Sequence, residues 1–274
     1  ISRGFNRINR KANNRTKWSL FRIYWSRITV VETIVQDLLN AAKLLSDKCT
    51  KKIPNLLKHK DVAHVTNPLD YAWELHEQFI TKWAGCGAKT LLLGMNPGPY
   101  GMAQTGVPFG ATKMATDVLG MEPVELQTPS GAHPKRPIQG LSMERQEVSG
   151  TRFWTFMVEH FGSIESTFSN IFVVNHCPLL ILGETGRNIT PVDIPKSIIN
   201  PILDLCDQHL KSVVDIMGIE RIVGVGNYAK KRAKTIVPEL DIDAMWHPSP
   251  ASPLANRNGG ADWRANVASK LPLP

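Results

Sequence analysis

The sequence predicts an α/β fold in which a parallel sheet of four strands is covered by helices on both faces. Short apolar runs alternate along the chain with longer amphipathic segments, and this alternation is typical of β-α-β units. The runs are apolar at consecutive positions, as expected for strands buried on both faces. Each run also ends in a polar or Pro/Gly-rich stretch. Because ligands bind beyond the carboxyl ends of parallel strands, these ends predict a single site at one edge of the sheet.

The individual elements follow from periodicity and from turn residues. Apolar residues at helical spacing predict a helix over 32–48, and the turn at Asn67-Pro68 precedes another over 69–84. The four strands are predicted at 91–93, 171–174, 221–225 and, from a weaker pattern, 241–246. Amphipathic spacing predicts further helices over 152–161, 195–217, 228–237 and 260–271.

Composition is that of a globular protein, with 42% hydrophobic and 20% charged residues among 274. No run of about 18 apolar residues occurs, so no membrane span is expected. The chain shows no internal repeat and no convincing linker after the first thirty residues. We therefore expect one domain over 32–274, which acts as a monomer.

The N-terminal segment 1–31 differs from the rest because it carries eight Lys and Arg residues and no acid. These eight charges equal the whole net charge of +8. The segment is expected to be disordered or processed. It is compatible with a tail that contacts nucleic acid, with an organelle transit peptide, or with upstream sequence outside the fold.

Cysteine spacing argues against a metal centre. Cys49, Cys86, Cys177 and Cys206 are far apart and form no C-x-x-C pair, which is the wrong spacing for zinc or an iron–sulfur cluster. Free thiols in a reducing, intracellular compartment are the expectation. No metal, cofactor or structural disulfide is predicted.

The most unusual stretch is 94–110, GMNPGPYGMAQTGVPFG, which follows the first strand and surrounds Asn96 with five glycines and three prolines. Glycine permits close backbone approach and proline stiffens turns, so the loop is suited to hold a flat or anionic ligand. It lacks the pattern of a Walker loop or a dinucleotide fingerprint. The alternatives are a Gly/Pro connector without chemical meaning and, for Phe109, an ordinary core residue.

Two further strand ends carry candidate polar residues. His247 follows the fourth strand in the stiff sequence His-Pro-Ser-Pro, and Asn175 ends the second strand, where a buried amide needs partners. A structural role is the alternative for both, and His176 competes with Asn175 for a functional one. Two loops add basic and hydroxyl groups suited to phosphate contacts or, alternatively, only to solvent: Lys135 and Arg136 in one, and Arg187, Asn188, Thr190 and Lys196 in the other.

The motifs resemble, in order, those of the single-strand-selective monofunctional uracil-DNA glycosylase family. The resemblance is carried by 94–110, EVSGTRFW (147–154), NHCPL (175–179), GRNITPVD (186–193) and HPSP (247–250), with NPLDYAWELH (67–76) preceding them. It covers about two thirds of the chain and implies a three-layer α/β/α fold with a central, mostly parallel four-stranded sheet.

The resemblance also implies site roles. Asn96 matches the residue that positions the attacking water, and His247 the residue that supports the departing base. Phe109 matches the stacking aromatic and Asn175 the residue that recognises the base edge, while Met95 and Gly98 contribute backbone to the pocket. Residues 185–199 match a DNA-contacting segment, which brings Gly186, Arg187, Asn188, Thr190 and Lys196 to DNA. Lys135, Arg136, Ser249, Pro250 and Arg257 are further candidates for DNA contact.

The implied activity is hydrolysis of the bond between DNA and uracil, and also 5-hydroxymethyluracil, in single- or double-stranded DNA. No carboxylate or lysine occupies the positions matched to the water-positioning and base-supporting roles, which argues for a monofunctional hydrolase without a Schiff base. A DNA substrate suggests the nucleus. Two alternatives remain: a non-catalytic protein that binds damaged or single-stranded DNA, and a nucleoside or nucleotide hydrolase.

One position departs from the family pattern. The family usually places a basic residue after HPSP, in the segment that wedges into the duplex, whereas this chain has Ala251. Arg257 supplies a charge a few residues later in a different register.

Overall fold

The computed structural model describes residues 29–273, so most of the basic N-terminal segment lies outside the described residues. Helix α1 covers 29–50 of this part. The following α-helices are α2 (Ile53–Leu56), α3 (Pro68–Tyr71), α4 (Trp73–Trp83), α5 (Met102–Thr105), α6 (Thr112–Asp117), α7 (Val148–Phe161), α8 (Ile164–Asn170), α9 (Lys196–Met217), α10 (Asn227–Ile236), α11 (Pro253–Asn256) and α12 (Ala261–Ala268). The strands are β1 (His64–Thr66), β2 (Thr90–Gly94), β3 (Ile171–Asn175), β4 (Leu180–Leu182), β5 (Arg221–Val225) and β6 (Asp241–Met245).

The central sheet has four parallel strands in the order β3-β2-β5-β6. Every residue of β2 is buried, which requires cover on both faces, so the fold has three layers, α/β/α. Register aligns the strand ends, since Gly94 of β2 pairs with Asn175 of β3. Both the fold class and the four strands predicted from the sequence are confirmed.

A second sheet of two strands was not predicted. Strand β1 pairs antiparallel with β4, and each has three residues. A run of three residues is too short to show the alternation by which a strand is recognised in a sequence. This small sheet matters for function because β4 leads directly into the segment at 186–193.

The predicted helix over 69–84 is interrupted at Ala72, whose backbone leaves the helical region. At the start of α3, Asn67 Oδ1 caps this short helix through the Leu69 amide at 3.1 Å. The buried Asn67 amide nitrogen also donates to Ser46 O at 3.1 Å and Thr50 Oγ1 at 2.9 Å of helix α1. One side chain therefore joins α1 to α3.

The main core lies between the sheet and helices α1, α4, α7 and α9. Aromatic rings fill much of it, and the ring centroids of Trp83 and Phe168 are 4.6 Å apart in a stacked arrangement. A second apolar cluster lies under the β1–β4 pair and contains the free, buried thiols of Cys49, Cys177 and Cys206. None of the helices within 29–273 combines the length and the apolar character needed to span a membrane.

Candidate active site

A cavity of about 320 Å³ opens at the carboxyl ends of β2, β3 and β6. Its walls include all six residues predicted to bind the base or perform the chemistry: Met95, Asn96, Gly98, Phe109, Asn175 and His247. Three residues predicted to contact DNA also line it, namely Asn188, Thr190 and Ser249. The cavity therefore unites side chains that are up to about 150 positions apart in the sequence.

The end of β2 is fixed by continuing the sheet into the loop. The amides of His176 and Cys177 donate to Gly94 O at 3.0 Å and Met95 O at 2.8 Å. Asn96 follows at the mouth of the cavity, where its amide nitrogen lies 3.4 Å from Asn188 Oδ1. Asn188 in turn donates to Pro97 O at 3.1 Å, so both amides are held in one network.

Asn188 reaches this position because the chain folds back after β4. The Ile189 amide donates to Ile181 O at 2.8 Å, and Gly183 N donates to Arg187 O at 3.0 Å. Gly186 at the turn has φ of +79°, which glycine adopts without strain. Downstream, Asp193 accepts from the Thr190 amide at 2.9 Å and its hydroxyl at 2.8 Å, which closes a capping box.

Phe109 is both packed into the core and part of the cavity wall. Its side chain is only 8% exposed, yet it lines the cavity, and its ring stacks on Phe153 of α7 with centroids 4.4 Å apart and planes within 9°. Its backbone has φ of +54°, an uncommon conformation for a bulky residue. The surrounding fold thus holds this ring in place at a cost in backbone energy, a pattern found at functional sites.

Asn175 lies at the end of β3 with its amide turned into the cavity. Its Nδ2 donates to Met102 Sδ at 3.1 Å. A side chain at Gly94 would overlap Asn175 Oδ1 and come within 3.2 Å of Phe109 Cε2. Glycine at position 94 is therefore what permits the amide and the ring to lie next to each other.

His247 is held in one tautomer by its own loop. Its Nδ1 accepts a hydrogen bond from the Ser249 amide at 3.1 Å, which leaves the proton on Nε2 when the ring is neutral. Burial lowers the pKa of His247 and thereby favours the neutral ring. The imidazole lies next to Phe109, with ring centroids 6.1 Å apart.

The loop that carries His247 is fastened to α7 by Arg152, a residue that the sequence did not single out. The guanidinium donates to Pro248 O and Ala255 O, each at 3.1 Å, and to Asn256 Oδ1 at 3.2 Å. Helix α7 also supplies Phe153 beneath Phe109. Its Gly150 lies so close to the 109–111 backbone that a side chain there would overlap Phe109 O.

Glu147 is one of the wall residues that were not predicted. It precedes α7, and its carboxyl lines the cavity beside Gly98. Burial raises the pKa of Glu147 to about 7. No role in the site had been assigned to a carboxyl group, and the only signal in the sequence was its place at the start of the EVSG motif.

The predicted basic residues form a rim rather than a part of the cavity wall. Arg136 donates to Tyr100 Oη at 2.7 Å and to Gly186 O at 3.0 Å. Arg145, which was not predicted, donates to the same phenol oxygen at 3.0 Å and lies over its ring at 4.1 Å. Two guanidinium groups on one tyrosine make this part of the rim electropositive.

The other predicted DNA-contacting residues are exposed, except Gly186, which is buried at its turn. Lys135, Arg187, Lys196 and Pro250 are exposed. Arg257 is exposed as well, but its Nε lies 3.2 Å from Asp262 Oδ2. Its charge is therefore partly neutralised in the free protein.

All four strand ends were expected to contribute to the site, but the end of β5 does not. None of the described cavity-wall residues comes from Gly226–Tyr228, which follows that strand. Gly226 instead packs behind His247, and a side chain there would come within 3.8 Å of His247 Cβ. His176 is also away from the wall. It is buried between Asp207 Oδ1 at 2.8 Å and Tyr228 Oη at 3.0 Å.

Comparison with known proteins gives close relatives for most of the chain. It is 44% identical over 219 residues to the single-strand selective monofunctional uracil DNA glycosylase of Bos taurus, which covers 77% of this chain and 80% of that protein. The proteins of the same name from Rattus norvegicus and Mus musculus are 44% and 42% identical over 214 residues, covering 77% of this chain and 75% of theirs. No protein-family model matches the chain.

A solved structure shares the fold at much lower identity. The crystal structure of wild-type SMUG2 from Pedobacter heparinus superposes with a TM-score of 0.55 and 16% identity, covering 82% of this chain and 96% of that one. Identity above 40% extends over more than three quarters of the chain in all three of these relatives. The chain therefore belongs to the family of single-strand selective monofunctional uracil-DNA glycosylases.

Proposed function

We propose that this protein hydrolyses the N-glycosidic bond of uracil in DNA, with the base held in the cavity at the carboxyl ends of β2, β3 and β6. Membership of the family makes it a monofunctional uracil-DNA glycosylase that acts on DNA. The observation that carries the proposed mechanism is the hydrogen bond from the Ser249 amide to His247 Nδ1. It leaves Nε2 of a neutral imidazole as a donor for a base that departs with negative charge.

His247 stabilises the departing base without transferring a proton. Cleavage of the glycosidic bond creates a cation-like sugar and an anionic uracil, as in other glycoside cleavage. A donor fixed where the charge develops lowers the barrier because it needs no reorganisation. The lowered pKa of His247 is compatible with this role, because a neutral ring with its proton on Nε2 is all that is required.

Asn96 orients the water that attacks the sugar. An amide is too weak a base to take the proton, so it acts by holding the nucleophile in line with C1′. Its contact with Asn188 fixes the amide. The Oδ1 atom of Asn96 remains available to accept a hydrogen bond from the water.

Asn175 and Phe109 recognise the base. Stacking on the Phe109 ring contributes about 1–3 kcal/mol and accepts any base, so selection depends on the Asn175 amide. Its nitrogen donates to O4 of uracil and its oxygen accepts from N3–H. Cytosine presents the opposite pattern, and each unpaired group would cost about 1–3 kcal/mol.

Gly98 itself has no side chain, and the Glu147 carboxyl packed against it gives this part of the wall, near C5 of the base, a polar group. A polar wall near C5 is the reason to extend the proposal to 5-hydroxymethyluracil. Thymine differs from that base by one hydroxyl group, so a polar preference at the same wall would reject it. Equal excision rates for 5-hydroxymethyluracil and thymine would contradict this extension.

DNA binds along the basic rim, as either a single strand or a duplex. A base inside a duplex is inaccessible, so the target nucleotide must be flipped into the cavity. The pair Arg136 and Arg145 on Tyr100 and the exposed Arg187 lie where phosphates would pass. Ala251 lacks the charge of the family's wedge, which favours single strands or weakened duplexes. A nuclear location follows from the DNA substrate as part of this proposal.

The test is strand cleavage by alkali after incubation with a labelled oligonucleotide that contains one uracil. The wild-type protein is expected to produce an alkali-labile site, and Asn96→Ala and His247→Ala are each expected to slow its formation about 10²–10³-fold. Asn40→Ala and His59→Ala, which change the same residue types outside the cavity, serve as matched controls. A wild-type protein that binds the oligonucleotide but never cleaves would establish a non-catalytic binding protein instead.

A further inference from the structure

The carboxyl group of Glu147 occupies space that exists only because two glycines lie opposite it. A Cβ atom at Gly98 would overlap Glu147 Oε1, and a Cβ atom at Gly101 would overlap its Oε2. Both glycines belong to one tight turn, in which Gly101 N donates to Gly98 O at 3.4 Å. The carboxyl is therefore packed against the backbone of this turn and forms part of the cavity wall.

Within residues 29–273 this carboxyl has neither a hydrogen-bond donor nor a basic partner. Glu147 is the residue before helix α7, yet its side chain makes no capping bond. Desolvation is the one cause that raises its pKa, to about 7, with no neighbouring charge contributing. A polar group in a cavity without a protein partner is costly unless a ligand or water supplies one.

The orientation of Asn175 indicates which edge of the base faces Glu147. Because Nδ2 of Asn175 lies against Met102, uracil O4, which accepts from Nδ2, lies on the Met102 side. The C5 atom is next to C4 in the ring, whereas O2 lies on the other side of N3, towards His247. The C5 edge therefore faces the turn 98–102 and the part of the wall formed by the Glu147 carboxyl.

We propose that Glu147 is a specificity-determining residue that accepts a hydrogen bond from a polar donor on C5 of the base, such as the hydroxyl of 5-hydroxymethyluracil. This inference rests on the function proposed above, because it uses the same orientation of the base. A methyl group at C5 offers no donor and would displace water from the carboxyl. The residue thus favours hydroxymethylated over methylated pyrimidines, while leaving uracil dependent on Asn175 and Phe109.

The test compares single-turnover excision of 5-hydroxymethyluracil and uracil in the same oligonucleotide, expressed as a ratio of rates. Because both rates are measured on the same preparation, their ratio does not depend on the fraction of the protein that is active. Glu147→Ala is expected to lower the ratio about 10-fold or more, because a site built for a hydroxyl loses that preference with its partner. Glu147→Gln keeps a carbonyl acceptor of the same shape and is expected to retain most of the ratio. Glu144→Gln, an exposed glutamate three residues earlier, is the matched control.

The pH dependence separates this role from a structural one. An ionised carboxylate accepts a stronger hydrogen bond than a protonated carboxyl, so the wild-type ratio should rise between about pH 6 and about pH 8. Glu147→Gln should show no such rise. Among the described residues that line the cavity, His247 is the other group that titrates, and Arg136 and Arg145 carry charge at Tyr100, which lies between Gly98 and Gly101 in the sequence. His247 acts on both bases alike, and the two arginines keep their charge throughout this range.

Either of two results overturns the inference. The first is a ratio that is unchanged in both Glu147 variants, and the second is a rise with pH that persists in Glu147→Gln. If Glu147→Ala is inactive on both bases, the pH dependence of the rate ratio in Glu147→Gln decides between a role in specificity and a structural role. A wild-type protein that releases no uracil would instead refute the proposed function, which is a different outcome of the same assay.

Discussion

Two amide side chains at the mouth of the cavity act as a unit. Asn96 contacts Asn188 Oδ1, and Asn188 donates to Pro97 O, so each restricts the other. In the proposed mechanism Asn96 contributes by orientation alone, and any freedom of its amide lowers the fraction of productive geometry. The sequence suggested a phosphate contact for Asn188, whereas its position in the structure is that of a support for Asn96.

Asn188→Ala should therefore slow the chemical step more than it weakens DNA binding. Loss of one hydrogen bond that orients Asn96 is expected to cost about 1–1.5 kcal/mol, or about 10-fold in the single-turnover rate at saturating oligonucleotide. The dissociation constant of the oligonucleotide should change by less than about three-fold. If Asn188 is instead a phosphate contact, the affinity will fall and the saturated rate will match that of Asn40→Ala.

Residues with an unusual local context were the ones that could be predicted. Asn96 lies amid glycine and proline, and Asn175 and His247 lie where strands end. Glu147 and Arg152 are in an ordinary sequence at the start of a helix. Only tertiary packing brings Glu147 against Gly98 and Gly101. The same is true of Arg152 and Pro248 O. No pattern along the chain records such contacts.

Helix α7 and the residue before it support several parts of the cavity. Its first turns place Glu147 and Ser149 in the wall, Gly150 against the backbone of Phe109, and Phe153 under the Phe109 ring. Arg152 ties the same helix to the loop of His247. The stacking ring and the imidazole are thus fixed relative to each other through one helix.

Arg152→Ala tests this role. The substitution removes donors from Pro248 O, Ala255 O and Asn256 Oδ1, so the loop of His247 should become mobile. The single-turnover rate is expected to fall about 10–100-fold, and the melting temperature by several degrees. Arg264→Ala is the control, because its half-exposed ion pair with Glu159 on the same helix contributes only about 0–1 kcal/mol. An Arg152→Ala protein that matches this control in rate would refute the role of α7.

The helices and strands that could be predicted are those whose residues repeat a recognisable hydrophobic pattern. The buried strands of the central sheet and the long amphipathic helix α9 have clear signals and are confirmed. The β1–β4 pair is too short to have one. The expectation that all four strand ends build the site is wrong for β5, because Gly226 packs behind His247 and α7 fills the wall in its place.

At the scale of the whole molecule, charge is distributed unevenly. The eight basic residues in 1–31 account for the net charge of +8, so the remainder of the chain carries equal numbers of basic and acidic residues. A body without net charge attracts DNA only where cations cluster, and Arg136 and Arg145 on Tyr100 form such a cluster beside the cavity. We therefore expect this local cluster to guide DNA to the cavity.

If the cavity receives the flipped base, a crystal structure of Asn96→Ala bound to a uracil-containing oligonucleotide will contain the uracil in it. We expect the base to stack on Phe109, with O4 and N3 on the Asn175 amide, O2 within hydrogen-bond distance of His247 Nε2, and C5 towards Glu147. A uracil that remains stacked in the strand, or that lies outside the cavity while the protein is otherwise folded as described, would contradict it.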